Sequence, residues 1–319
     1  MNHDEAIEQI KDSLKVDETE AEKILAKAFE GLEIKTYNEI KNWVNERLLK
    51  NCVFIDEQGY AQMCVNALKI LSTTAATDYG SSRQRDLGQL WADMTRGYLG
   101  EYAFVLFLEK RWGIKSKLGH EIGKLEDYLP MDIHQIQRPG ESLRTPHLKI
   151  GIKAIKWNGI WLDIPNNQFH HSDIHVVVKV GAGRDHLFAF FKTLSVFKDK
   201  VLKRGREVGV LTDHESEVLF NSLPSFRPIP AYICGFVKKN AQYFALSYEG
   251  KKGRKNFTIT GWNGPIQHGD LEKIKQMENV QGKVTFEGSG EFSHDSGYLF
   301  NTGNLLWEDA HWKELCTQL

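Results

Sequence analysis

Apolar residues recur at three- and four-residue steps through the first third of the chain: Ile7, Ile10 and Leu14, then Ile24, Leu25, Ala28, Phe29 and Leu32. That spacing lines one stripe of a helix. Tyr37 to Leu49 and Ala61 to Leu71 continue it, so residues 1–93 are expected to form an N-terminal helical region. The polar, glycine-containing segment 78–85 reads as a loop, with Arg83 and Arg85 able to touch phosphate. From Met94 to Trp112 the helical period returns.

Beyond residue 130 the period changes. Residues 131–137, 148–156, 160–164, 174–181 and 187–192 read as strands, and 231–237 as one more. The run from Ile174 to Val180 is rich in β-branched residues, as expected of a central strand. Helices are expected near 194–201 and 213–223. Residues 94–240 therefore predict an α/β (α+β) core, a mixed central sheet flanked by helices. Residues 241–319 shift to glycines, aromatics and short alternating runs at 257–260, 283–286 and 298–300, with one helix at 271–277. They predict a small β-rich C-terminal subdomain. Trp-Asn-Gly occurs at 157–159 and again at 262–264, and reads as two Asn-Gly turns.

A chain of 319 residues can bury a sizeable core. Its net charge of −1 gives no global pull toward nucleic acid or membrane, although a local basic cleft is compatible with it. Four scattered cysteines with no CxxC pair argue against a zinc knuckle or a disulfide framework and fit a reducing, cytoplasmic setting. The polar, acidic start lacks the pattern of a signal peptide, and no apolar run approaches a membrane span. Phosphate-binding GxxxxGK[ST], GxSxG and HExxH motifs do not occur.

Three residues carry the candidate chemistry. Glu101 has Gly97, Tyr98, Phe104 and Val105 as its helical neighbours, a small and apolar face that turns its carboxylate toward packed structure. A carboxylate so placed needs a cation, a metal or hydrogen-bond donors. Asp132 opens a strand, where aspartate is disfavoured unless function requires it. On the next strand Leu148, Ile150, Ile152 and Ala154 share the buried face, while Lys149, Gly151, Lys153 and Ile155 share the other. If Asp132 holds a divalent cation, Lys153 is placed to orient the attacking water and offset charge on a phosphate.

With its helix glutamate, strand aspartate and strand lysine in order, the stretch Gly97–Lys156 resembles the core of the PD-(D/E)XK nucleases, most of all type II restriction endonucleases. The resemblance covers roughly residues 95–240. It implies a restriction-endonuclease-like core and a Mg²⁺-dependent deoxyribonuclease acting as a homodimer on double-stranded DNA. It also implies a site in which Glu101 is the helix carboxylate, Asp132 the principal metal ligand and Lys153 the catalytic lysine. The backbone carbonyl of Ile152 would be a further ligand.

Gly151 stands where that family has its second acid. Three accounts remain open: Glu101 supplies the oxygen, an acid on a neighbouring strand such as Asp163 does, or the site binds DNA without cutting it. A two-residue Asn158-Gly159 turn would pair Trp157 with Ile160 and, counting back, Ala154 with Asp163. Asp163 would then lie on the face opposite Lys153, which favours Glu101. Two functions compete with a restriction enzyme: a noncatalytic DNA-binding protein on a nuclease-derived fold, and a nuclease of DNA repair or junctions.

Candidate DNA contacts are Lys156 and Asn158 after the strand, His170 and His171 in the run from Phe169 to His175, and the basic run Lys251, Lys252, Arg254 and Lys255. Read alone, the histidine run is a polar loop leading into a strand, without the helical spacing that would align metal ligands.

Overall fold

The computed structural model describes residues 1–28, 36–74, 87–119, 131–239, 257–259, 284–286, 290–291 and 297–319. Segment 78–85, the basic run Lys251–Lys255, the second Trp-Asn-Gly turn and the helix expected at 271–277 lie outside the described residues.

The chain starts with helices α1 (His3–Leu14), α2 (Glu18–Ala28) and α3 (Tyr37–Asn42), the last running on into a π-helical stretch over Trp43–Leu48. Capping boxes begin α1 at Asn2 and α3 at Thr36, which satisfy the first free N–H groups of each. A short strand, β1 (Cys52–Ile55), follows inside the region expected to be helical throughout, and then α4 (Glu57–Thr74) and the long α5 (Leu87–Trp112). Next come β2 (Lys115–Leu118), β3 (Ile133–Gln137), β4 (Ile150–Lys156) and β5 (Trp161–Pro165). A single turn, α6 (Asn166–Phe169), leads to β6 (Ile174–Val180). Helices α7 (Arg184–Thr193), α8 (Lys203–Glu207) and α9 (Asp213–Ser222) precede β7 (Ile229–Lys238). Short strands β8 (Phe257–Ile259), β9 (Val284–Phe286) and β10 (Gly290–Glu291), then β11 (Gly297–Asn301) and α10 (Asp309–Gln318), complete it.

The central sheet is mixed, with order β1-β7-β6-β4. β4 runs parallel to β6, whereas β6–β7 and β1–β7 are antiparallel. The N-terminal region thus supplies one edge strand of the sheet. Every residue of β6 is buried, the burial expected of a strand covered on both faces. One face packs α4, α5 and α10 through Phe104, Phe107, Ile152, Val176, Val178 and Trp312. The other packs α1, α2, the π-helical stretch and β5/β11 through Ile10, Leu25, Trp43, Leu162, Val177 and Phe300. The C-terminal stretch therefore ends in a core helix, and the β-rich reading covered only its strands.

Two glycines are needed where the backbone crowds. Gly235 has φ +135° and faces the Leu306 carbonyl, 2.5 Å from where a Cβ would stand, at a bulge opposite Val177/Val178. Gly100 lets α5 rest on β4: a Cβ there would lie 2.6 Å from that of Ala154.

Two expectations are corrected. Residues 187–192 are part of helix α7. Leu187, Phe190, Phe191 and Leu194 all pack on the core, and their spacing is helical. The run is too short and too apolar for its period to show in sequence. The hairpin at 157–160 is also absent. Ala154 pairs with Val178, while β5 pairs with β11, placing Asp163 opposite Leu299. Trp157 instead stacks on Tyr232 across the sheet face, centroids 6.5 Å apart, and this turns the chain off the line of β4.

Among the described residues, no helix is long and apolar enough to cross a membrane. All four cysteines are free and buried.

Candidate functional site

The site lies along the open edge of β4. Strand β3 is paired with β2, not with β4, yet its approach is fixed to β4 by Asp132. The Asp132 backbone N–H donates to the Ile150 carbonyl at 3.0 Å, and the Asp132 carboxylate accepts the Ile152 N–H. The N–H and C=O of one strand residue point to the same side. The Ile152 carbonyl is therefore directed to the same open edge as the carboxylate it faces. A bulge at Lys117/Leu118 skips His134, which lets both Ile133 and Ile136 turn into the core despite their odd spacing.

Glu101 reaches this edge because Gly100 seats α5 directly on Ala154. Its carboxyl is pushed well above the usual carboxylate range, first by burial and then by the charge of Asp132, with Lys153 acting in the opposite sense. Asp132 is raised too, by burial, against the lowering effect of the Ile152 N–H and of Lys153. Each residue keeps some accessible surface, so the pair is desolvated but open to a ligand. Two neighbouring carboxyls kept from ionising freely are a site that lacks positive charge. Lys153 supplies part of it, with Nζ held by Gln168 Oε1 at 2.6 Å.

Gly151 stands where the resemblance has its second strand acid, a third carboxylate when Glu101 is counted, and its surroundings are filled. A Cβ there would lie 2.9 Å from Ser172 Oγ and 3.1 Å from His175 Nδ1. His175 stands directly across the parallel ladder from Gly151. Ser172, just before β6, and His175 on β6 take the space that a side chain at 151 would need. Among the described residues, no three His, Cys, Asp or Glu side chains converge as a metal-binding group. Two carboxylates with a carbonyl still match the usual Mg²⁺ set, which is one or two carboxylates completed by water and phosphate oxygens.

His175 is 1 % exposed and stacks on Phe169, centroids 5.1 Å apart. Its Nε2 lies 3.1 Å from the Phe169 carbonyl, so Nε2 carries the proton and Nδ1 is the bare acceptor. Burial, chiefly, lowers its pKa from 6.5 to about 4. The folded protein thus keeps His175 neutral where the unfolded chain would protonate it. Between pH 6.5 and about 4 the unfolded state binds more protons, so stability falls as pH falls through that window. The expected loss is roughly 3 kcal/mol between pH 7 and pH 4, at ~1.4 kcal/mol per unit. Urea unfolding at pH 7, 5.5 and 4 checks it, because a His175→Gln variant should lose this part of the slope.

Of the expected DNA contacts, Lys156 and Asn158 are exposed at the far end of β4, about 10 Å along the strand from Lys153. His170 and His171 are exposed beside α6, at the carboxylate end. His170 Nε2 is 3.3 Å from the Tyr298 hydroxyl, and the His170 carbonyl accepts Lys239 Nζ at 2.6 Å. The fold thus brings together Glu101, Asp132, Ile152 and Lys153, with Gln168 bonded to Lys153, and leaves Lys156 and Asn158 apart. The roles of Ser172 and His175 escaped sequence reasoning. Their only signal was a histidine inside an otherwise apolar, β-branched strand.

No protein-family model, curated protein or solved structure matches the chain.

Proposed function

We propose that this protein is a Mg²⁺-dependent endonuclease that hydrolyses phosphodiester bonds in duplex DNA, of the restriction type and acting as a homodimer. The observation that carries the reading is the Glu101–Asp132 carboxyl pair. It is raised by burial and set beside Lys153 at a strand edge that also presents the Ile152 carbonyl. A buried like-charged pair costs stability unless a cation offsets it.

Asp132 and Glu101 would hold the ion, with the Ile152 carbonyl as a third oxygen. Mg²⁺ bound there supplies Lewis acidity and an acidified water. The Ile152 N–H fixes one Asp132 oxygen, which leaves the other free and oriented. Lys153, steadied by Gln168, donates to a non-bridging phosphate oxygen and offsets the charge that builds as water attacks phosphorus in line with the departing sugar oxygen.

Two side-chain predictions follow from that arrangement. Lys153→Ala should lower the cleavage rate by about 10²-fold or more, as expected for loss of a charge aimed at the transition state. Gln168→Ala should cost about 10-fold, the scale of a supporting partner. Single-turnover cleavage of supercoiled plasmid measures both, and equal rates in wild type and Lys153→Ala would refute the role of Lys153.

A second reading has its own observation. With Ser172 and His175 closing the place of a third acid, the same edge fits a DNA-binding protein that does not cut. Incubation with mixed duplex DNA and Mg²⁺ separates the two. Fragments that vanish with EDTA support the enzyme, and binding without cleavage supports the alternative.

A further inference from the structure

Away from this edge, a cavity of about 530 Å³ opens between α4, α5 and the segment from β6 into α7. Its size falls in the range of small-molecule sites, roughly 300–1,000 Å³. Tyr60, Trp91, Leu99, Leu187 and Phe191 give it apolar and aromatic walls. Its polar lining includes Arg184, exposed and paired with Asp185, and two adjacent residues of α5, Thr95 and Arg96, each with a buried donor that is not used. The Thr95 residue is 6 % exposed. Among the described residues its hydroxyl finds no oxygen or nitrogen partner, and it lies beside the Cys64 thiol, a weak acceptor. That thiol is itself pushed up to about 11, chiefly by burial, so it stays protonated. Arg96 pairs with Asp93 through Nη1 at 3.2 Å, but its Nε is buried without a hydrogen-bond partner. A buried donor left without an acceptor is costly, so a ligand that satisfies both gains from it.

We infer that this cavity binds a small apolar carboxylic acid, with its hydrocarbon or aryl body among the aromatic walls and its carboxylate accepting from Thr95 Oγ1 and Arg96 Nε. An oxyanion fits because Thr95 Oγ1 and Arg96 Nε are both buried donors in the cavity lining and one of them belongs to a cation. This site is independent of the Glu101–Asp132 edge and does not rest on the nuclease reading.

The test is calorimetric titration of the full-length chain with decanoate, below its micellar concentration, against decan-1-ol as the uncharged match. Saturable one-site binding of decanoate, at least tenfold tighter than that of decan-1-ol, is expected. Arg96→Gln should weaken decanoate by tenfold or more and leave decan-1-ol unchanged. Ala92→Leu, which narrows the cavity from its lining, should weaken both. The inference is overturned if wild type shows no saturable decanoate binding, if the two probes bind equally, or if folded Arg96→Gln binds decanoate as wild type does. Circular dichroism establishes folding of each variant.

Discussion

Asp132→Asn should abolish Mg²⁺-dependent DNA cleavage, by about 10³-fold or more, and at the same time raise the thermal midpoint of the metal-free protein. Loss of activity follows from removing a ligand charge whose ion contributes several kcal/mol to the transition state. The gain in stability follows from electrostatics. Burial raises the Asp132 carboxyl, and burial with the charge of Asp132 raises Glu101. A carboxyl whose folded pKa is raised stabilises the fold when protonated. That contribution is lost as pH rises through the folded value, so both groups weaken the metal-free fold at neutral pH. An amide keeps the shape of Asp132 and can still accept the Ile152 N–H, while relieving Glu101 of a like charge. Scanning calorimetry near neutral pH, with EDTA and with excess Mg²⁺, should show opposite orders. Wild type should gain from Mg²⁺ and Asp132→Asn should not. A variant less stable than wild type in EDTA, with wild type indifferent to Mg²⁺, would mean that the carboxyl pair is a structural feature and not an ion site.

Gly151→Glu should fail to restore the expected third acid and should destabilise the protein by roughly 1–3 kcal/mol, the usual cost of overpacking a filled site. The reason is steric. The first atom of any side chain at 151 meets Ser172 Oγ at 2.9 Å and His175 Nδ1 at 3.1 Å, both buried on the adjoining segment. Ser172 and His175 cannot simply turn aside, because His175 is stacked on Phe169 and tied to its carbonyl. Gly151→Ala should already cost part of that energy. Urea unfolding reads the loss, and Mg²⁺ titration reads whether a ligand was gained. A Gly151→Glu protein as stable as wild type, with tighter Mg²⁺ binding, would show that the position remained open to an acid after all.

The sequence carried much of the frame. Periodicity located α4, α5, β4, β6 and β7, because long runs with one buried face leave a clear repeat. Glu101, Asp132 and Lys153 stood out by type and order, and the fold brings the three within electrostatic reach of one another. What escaped was partnership. No local pattern shows that β4 pairs in parallel with β6, although that register alone sets His175 against Gly151. The Asn158-Gly159 signal suggested a hairpin, but β11, more than 130 residues downstream, takes the pairing of β5. β1 was hidden because four residues between helices give too short a repeat to read. The aromatic run in α7 satisfied both periods, and only its packing against the core decided between them.

The hairpin register used against Asp163 does not hold. In the fold Asp163 is placed on β5, against Leu299 of β11, while the charges acting on Glu101 are those of Asp132 and Lys153. Asp163→Ala should therefore leave cleavage within about twofold of wild type, as expected of a residue without a role in the transition state.

The central claim is that Glu101, Asp132 and Lys153 form a Mg²⁺-dependent phosphodiesterase site. Its most direct test is to map the ends produced from a plasmid library by wild type, Asp132→Asn and Lys153→Ala, purified in parallel, with Mg²⁺ present. The account predicts discrete ends at a fixed sequence from wild type and none above background from either variant. Identical ends from all three proteins, or no ends from wild type despite DNA binding, would contradict it.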